Sequence, residues 1–172
     1  MKVTTKRGDG GTTDLFGGKR VPKSDPKIEL IGLCDELQAI LGIIKNLGPG
    51  TEEKQHITYL QTLLYRTMGE FAGAQTIPSN EIDMWVAELE EKQTAFLKVT
   101  PIVPKFVIPG TTLLEAWYQF TRTRVRSFER YLVATAMQNP SLSKYIPFFN
   151  RLSDYLFILG QAYGLSQEDA KV

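Results

Sequence analysis

Apolar residues recur along most of this chain at alternating steps of three and four, the spacing of an amphipathic helix. The first predicted helix opens at Asp25, an N-cap residue followed by Pro26 at the first helical position, and ends at Gly48-Pro49-Gly50. Leu30, Cys34, Leu37, Leu41 and Ile44 form its stripe. The second begins near Thr51, carries Ile57, Leu60, Leu64, Met68 and Phe71, and stops at Ile77-Pro78-Ser79-Asn80. A shorter third runs from about Glu81 to Thr94, with Met84, Val86 and Leu89. Pro101, Pro104 and Pro109 make residues 95–110 a connector, in which Phe106-Val107-Ile108 suits a short extended piece. The fourth helix spans about Thr112 to Gln138 on Leu114, Trp117, Thr121, Val125, Phe128 and Leu132. The fifth starts near Ser141 or Ser143 and aligns Tyr145, Phe149, Leu152, Leu156, Leu159 and Tyr163.

Residues 1–24 are different: rich in Gly, Thr and Lys, without apolar periodicity, they read as an extended arm or loop. The pattern predicts an all-α fold, a five-helix bundle with an extended Gly-rich N-terminal arm. The whole of 1–172 reads as one domain, with the arm at 1–24 and the bundle at 25–172.

Composition narrows the function classes. Twenty Lys and Arg against nineteen Asp and Glu leave a net charge of +1, against a general nucleic-acid binder. One Cys and one His exclude a Cys/His zinc site and an internal disulfide. No stretch is apolar enough to span a membrane or serve as a signal peptide, so a cytoplasmic protein is expected. The near-neutral total conceals an asymmetry. Residues 1–27 carry seven basic and three acidic groups, and Arg122, Arg124, Arg126 and Arg130 fall within nine residues opposed only by Glu129. Two separate basic clusters suit a local anionic ligand; the plain alternative is a solvated face.

Four places carry candidate chemistry. In T-K-R-G-D-G-G-T-T (5 to 13) three glycines let backbone N–H groups converge on an anion, with Lys6, Arg7, Thr12 and Thr13 as further donors; a flexible arm is the alternative. Arg122, Arg126 and Arg130 share one helical face, suited to bidentate phosphate recognition or simply to water. Asp35, next to Cys34, is expected at the edge of the core, where its carboxylate wants a cation, and the fourth-helix arginines are the candidates. Asn150 and Asp154, four apart between aromatic pairs, suit ligand recognition or inter-helix bonding. Cys34 reads as a buried hydrophobe, His56 as solvated beside Lys54 and Gln55, and Trp85 and Trp117 as core or interface anchors.

Taken together these segments resemble the PduO-type ATP:cob(I)alamin (corrinoid) adenosyltransferases. The resemblance rests on T-K-R-G-D-G-G-T-T at 5 to 13, R-V-P-K-S-D-P-K-I-E at 20 to 29, G-x-x-D-E-L at 32 to 37, F-V-I-P-G at 106 to 110, R-T-R-V-R-S-F-E-R at 122 to 130 and F-N-R-L-S-D-Y-L-F at 149 to 157. The blocks follow the family's order over almost the whole chain. They depart from it where Ser127 replaces an arginine, Thr111 a glycine and Gln119 a frequent histidine.

The resemblance implies a homotrimeric helical bundle with sites between subunits. Its activity would be transfer of the 5′-deoxyadenosyl group of ATP to cob(I)alamin, releasing triphosphate. A non-catalytic ATP- or corrinoid-binding regulator or carrier of the same fold is the alternative. Thr5, Lys6, Arg7, Gly8, Thr13, Asp14 and Lys23 would wrap ATP, with Arg126, Glu129, Arg130 and Asn150 completing the nucleotide site. Arg126 would act in catalysis, paired across the interface with Asp35. Phe106, Phe148 and Phe149 would line the corrinoid pocket. ATP, Mg²⁺ bound only through ATP, and cobalamin are the implied small molecules. A reductase and an adenosylcobalamin-dependent enzyme are the implied protein partners, with no nucleic acid and no membrane.

Overall fold

Asp25 converts the extended arm into helix. Its carboxylate accepts from Lys27 N at 2.8 Å, and Pro26 occupies the first turn, where no N–H is needed. In the computed structural model the described residues are 4–48, 50–100 and 108–168, with the backbone alone for 166–168.

Five helices follow: α1 (Pro26–Asn46), α2 (Thr51–Phe71), α3 (Ser79–Val99), α4 (Leu113–Ala136) and α5 (Ile146–Glu168). Helix α1 packs on α2 and α4, α4 on α5, and α5 on α3. Every residue of the α1 stripe is buried, and Leu60, Leu64, Phe71, Val125, Phe128, Leu132, Leu152, Leu156 and Leu159 meet it in one core. Aromatic rings fill the core where α3, α4 and α5 meet. Phe128 and Phe149 lie 4.1 Å apart between centroids, and Phe148 meets both Phe149 (5.1 Å) and Trp85 (5.5 Å).

Three expectations about elements change. Helix α3 starts two residues earlier and runs to Val99 rather than Thr94. Nothing between Thr94 and Thr100 breaks a helix, and Gln93 Nε2 donates to the Arg151 carbonyl at 2.9 Å, fastening the added turns beside α5. The fifth helix is preceded by a 3₁₀ segment, Pro140–Tyr145, and becomes α-helical only at Ile146, with Pro147 accommodated in its first turn. The arm is not a plain loop. Strands β1 (Thr12–Asp14) and β2 (Arg20–Pro22) pair antiparallel, Thr13 opposite Val21. The connection turns at Gly17 and Gly18, both at positive φ (77° and 82°). Val21 is buried, and Phe16 N donates to the Ala72 carbonyl at 3.1 Å, so the hairpin is fastened to the end of α2.

His56 also departs from expectation. It is buried, with only 7% of its surface exposed, its ring set edge-on to Tyr155 at 5.3 Å. Burial, then the charge of Lys92, lowers its pKa from 6.5 to about 4. The solvated reading followed its sequence neighbours. The helical neighbours Leu60 and Thr67 share its face and are both buried. Trp85 is buried and Trp117 half-buried, as expected of anchors.

Candidate functional site

The antiparallel contact of α4 and α5 carries a polar seam on its outer edge. At one end Asn150 Nδ2 donates to Glu129 Oε1 at 3.3 Å, and Asn150 Oδ1 accepts from Arg151 Nη1 at 2.8 Å. One turn along, Asp154 lies in the field of Arg126 and Arg151. Burial raises its pKa, and those two cations oppose the rise. Next the Arg122 guanidinium sits 5.9 Å over the Phe157 ring while its Nε donates to Gln119 Oε1 at 2.9 Å. The seam closes where Gly160 admits Gln119: a Cβ there would stand 2.8 Å from Gln119 Nε2.

The arginine stripe is therefore real and unevenly committed. Arg122 is half-buried, its pKa lowered by burial and then by the charge of Arg126. Arg130 is exposed and among the described residues bonds only to Ser127 Oγ, at 3.1 Å. Among the described residues Arg126 has no hydrogen bond or ion pair, and it is exposed. A guanidinium held on a rigid helix without an acid partner is prepared for an anion.

Asp35 does not sit at the core edge. It is exposed, and among the described residues the α1 acid that pairs with an α4 arginine is its neighbour Glu36, with Arg124. One residue is 100° of helical rotation, enough to turn Asp35 outward while Glu36 faces α4. Asp35 and Arg126 do not pair in the single chain; each is left without an ion pair among the described residues.

The hairpin gathers most of the arm candidates. Arg7 pairs with Asp14 at 2.9 Å, and Gly8 lies so close to Lys23 that a Cβ would stand 3.2 Å from its Nζ. Lys6, at a φ of 59°, and Gly11, at 75°, shape the intervening turn, closed by Asp9 N to the Lys6 carbonyl (3.3 Å) and Gly11 N to the Gly8 carbonyl (3.2 Å). Thr13 is half-buried in β1 and Thr5 exposed before the turn. Arg20 holds the assembly together: Nε donates to Thr12 Oγ1 at 2.9 Å, Nη1 to Asp14 Oδ1 at 3.3 Å and Nη2 to the Arg7 carbonyl. Sequence reasoning gave Arg20 no role, because only the Asp14–Arg20 register of the hairpin reveals it. Arg151 was missed likewise. No hydrogen bond or ion pair among the described residues joins the hairpin to the α4–α5 seam.

The corrinoid candidates fare differently. Phe106 lies outside the described residues. Phe148 and Phe149 are wholly buried among Trp85, Phe128 and each other, so they build the core rather than a pocket wall. No group of three His, Cys, Asp or Glu among the described residues could hold a metal ion. No helix among them is long and apolar enough to cross a membrane.

Residues 3–163 match the family model described as cobalamin adenosyltransferase. The chain is 31% identical over 166 residues to a corrinoid adenosyltransferase PduO of Citrobacter freundii, covering 94% of this chain and 50% of that one. A second corrinoid adenosyltransferase of Citrobacter freundii is 30% identical over 164 residues, 93% of each chain. The chain thus spans about half the length of the first relative and nearly all of the second. Among solved structures, a variant PduO-type ATP:corrinoid adenosyltransferase from Lactobacillus reuteri, complexed with cobalamin and ATP, superposes with a TM-score of 0.82 at 27% identity. That match covers 97% of this chain and 93% of the other.

Proposed function

This chain belongs to the cobalamin adenosyltransferase family, and on that premise we propose that it transfers the 5′-deoxyadenosyl group of ATP to cob(I)alamin. The products are adenosylcobalamin and triphosphate. The observation that carries the reading is Arg126, an exposed guanidinium with no hydrogen bond or ion pair among the described residues, centred on the α4 stripe between Arg122 and Arg130 and lying in the field of Asp154.

The chemistry asks little of the protein as a reactant. The reduced cobalt supplies the electron pair that forms the Co–C5′ bond, and the C5′–O bond breaks with its pair leaving on triphosphate. No protein nucleophile is needed. Cys34, its thiol pKa raised by burial and the Asp35 charge, and His56, kept neutral, are both enclosed and unsuited to that role. What remains is positioning and charge. Arg126 and Arg130 would face the triphosphate and stabilise the charge it gains as it leaves. Glu129 and Asn150 would hold the nucleoside, while Lys6, Arg7, Gly8 and Lys23 fold over the phosphates. Mg²⁺ would arrive on ATP.

The same proposal makes the active unit a homotrimer with sites between subunits. Among the described residues Asp35 and Arg126 each lack an ion pair, and no hydrogen bond or ion pair joins the hairpin to the seam it should complete. Leu113, Ala116, Trp117 and Phe120 also leave an apolar hollow of about 350 Å³ on α4. A cytoplasmic setting, where ATP is at hand, belongs to this reading, as do a reductase supplying cob(I)alamin and an enzyme consuming the product. The test is direct: mix protein, MgATP and chemically reduced cobalamin and follow adenosylcobalamin by absorbance. ATP-dependent turnover is expected; binding of ATP without turnover would sink the transferase reading.

A further inference from the structure

Asn150 is held from both sides, and the two holds are chemically opposite. An asparagine side chain presents a carbonyl oxygen and an amino group of nearly the same shape, so a free one can offer either to a ligand. Here Arg151 Nη1 donates to Oδ1 at 2.8 Å, and a guanidinium can only donate. Glu129 Oε1 accepts from Nδ2 at 3.3 Å, and an ionised carboxylate can only accept. Flipping the amide would set donor against donor and acceptor against acceptor. Arg151 is anchored in turn to α3: its Nε donates to Glu90 Oε1 at 2.6 Å, and its carbonyl accepts from Gln93 Nε2 at 2.9 Å.

We infer that the relay Glu90–Arg151–Asn150–Glu129, crossing α3, α5 and α4, makes Arg151 a positioning residue for the nucleotide. It holds the Asn150 amide in one orientation, with one amino hydrogen on Glu129 and the other left for the ligand. Arg151 touches neither the nucleotide nor the reacting atoms; its effect passes through Asn150. The inference rests on the nucleotide contact of Asn150 in the reading above, so its test reads binding rather than turnover.

The experiment is a double-mutant cycle on MgATP affinity, measured by titration calorimetry on the full chain. Arg151→Ala and Asn150→Ala should each raise Kd about tenfold, the worth of one charge-assisted hydrogen bond, and the double variant should be no weaker than Asn150→Ala alone. The KM for the corrinoid should stay within about twofold, because a single amide orientation is at stake. Glu90→Gln, which cuts only the outer link, should cost about threefold, as a weakened rather than lost constraint. Arg151→Lys keeps the charge but loses the two-armed fork, so it should restore only part of the loss. Additive losses in the double variant would overturn the relay, as would wild-type affinity in both Arg151→Ala and Glu90→Gln. Should Arg151→Ala fail to fold, Arg151→Lys and Glu90→Gln against Asn150→Ala give the same cycle. Coupled ATP binding without adenosylcobalamin formation would sink the transferase reading and leave the relay standing; an active enzyme without coupling would do the reverse.

Discussion

The two basic regions of this molecule are built on opposite plans. In the hairpin the two arginines are engaged with the arm's own groups: Arg7 with Asp14, and Arg20 with Thr12, Asp14 and a carbonyl, on strands of three residues that bury little beyond Val21. On α4 the scaffold is a helix of 24 residues locked into the core, and it leaves Arg126 uncommitted. Arginines that already share Asp14 must exchange partners to grip an anion. A bare guanidinium on a rigid helix carries its electrostatic cost beforehand and needs no rearrangement. The first plan suits a clamp, the second a fixed charge.

The sharpest way to break that contrast is Arg126→Ala. Loss of a fixed charge facing triphosphate should lower the rate of adenosylcobalamin formation about a hundredfold, or ~3 kcal/mol in the transition state. Arg126→Lys should recover little of it. Arg124→Ala serves as the counterpart: it breaks the half-exposed pair with Glu36 and should cost at most about 1 kcal/mol of stability, with the rate nearly unchanged. Equal near-wild-type rates for Arg126→Ala and Arg124→Ala would make the α4 stripe a solvated face. Sedimentation of Arg126→Ala and Asp35→Ala adds a second readout, each weakening a trimer if the two meet across an interface.

Acid should separate the regions next. The folded pKa of His56, about 4, lies below the value of 6.5 it has when unfolded, so folding favours the neutral ring. Stability from this group is full above pH 6.5 and is lost as pH falls toward 4, by up to about 3 kcal/mol. Thermal unfolding at pH 7 and pH 4.5 should show this bundle loss in the wild type and a smaller one in His56→Phe. An identical drop in both would show that burial of His56 does not govern it.

A smaller perturbation aims at the seam itself. Gly160→Ala should push the Gln119 amide aside and destabilise by about 1 kcal/mol, read by chemical denaturation: the new Cβ would stand 2.8 Å from Nε2, the movable end of that side chain, and 3.3 Å from Tyr118 Cβ, which can give little. Wild-type stability would mean the seam yields as readily as the arm. The least change belongs to the hairpin. Asp14→Asn should alter stability by less than about 0.5 kcal/mol, since its pairs with Arg7 and Arg20 are largely exposed. Trypsin should nevertheless cut between residues 7 and 20 in the free protein, and MgATP should slow that cleavage. Unchanged cleavage with MgATP would show that the arm does not close on the nucleotide.

Much of the bundle was legible from spacing alone, because burial of a helical stripe leaves a periodic trace and caps such as Asp25 and Thr112 mark helix starts locally. The arginine stripe was legible for the same reason: positions 122, 126 and 130 share a face whatever packs nearby. What the stripe does not carry is who meets whom. Three-residue strands are too short to show alternation, so the hairpin and the role of Arg20 emerged only from the register of Asp14 opposite Arg20. One residue of helical rotation decided that Glu36, not Asp35, faces Arg124. Neighbours on other helices decided that His56 is buried, that Phe148 and Phe149 are core, and that Arg151 bridges Glu90 to Asn150. Periodicity is a property of one helix read along its own axis; partnership depends on how several helices are rotated against one another, which only the packed structure fixes.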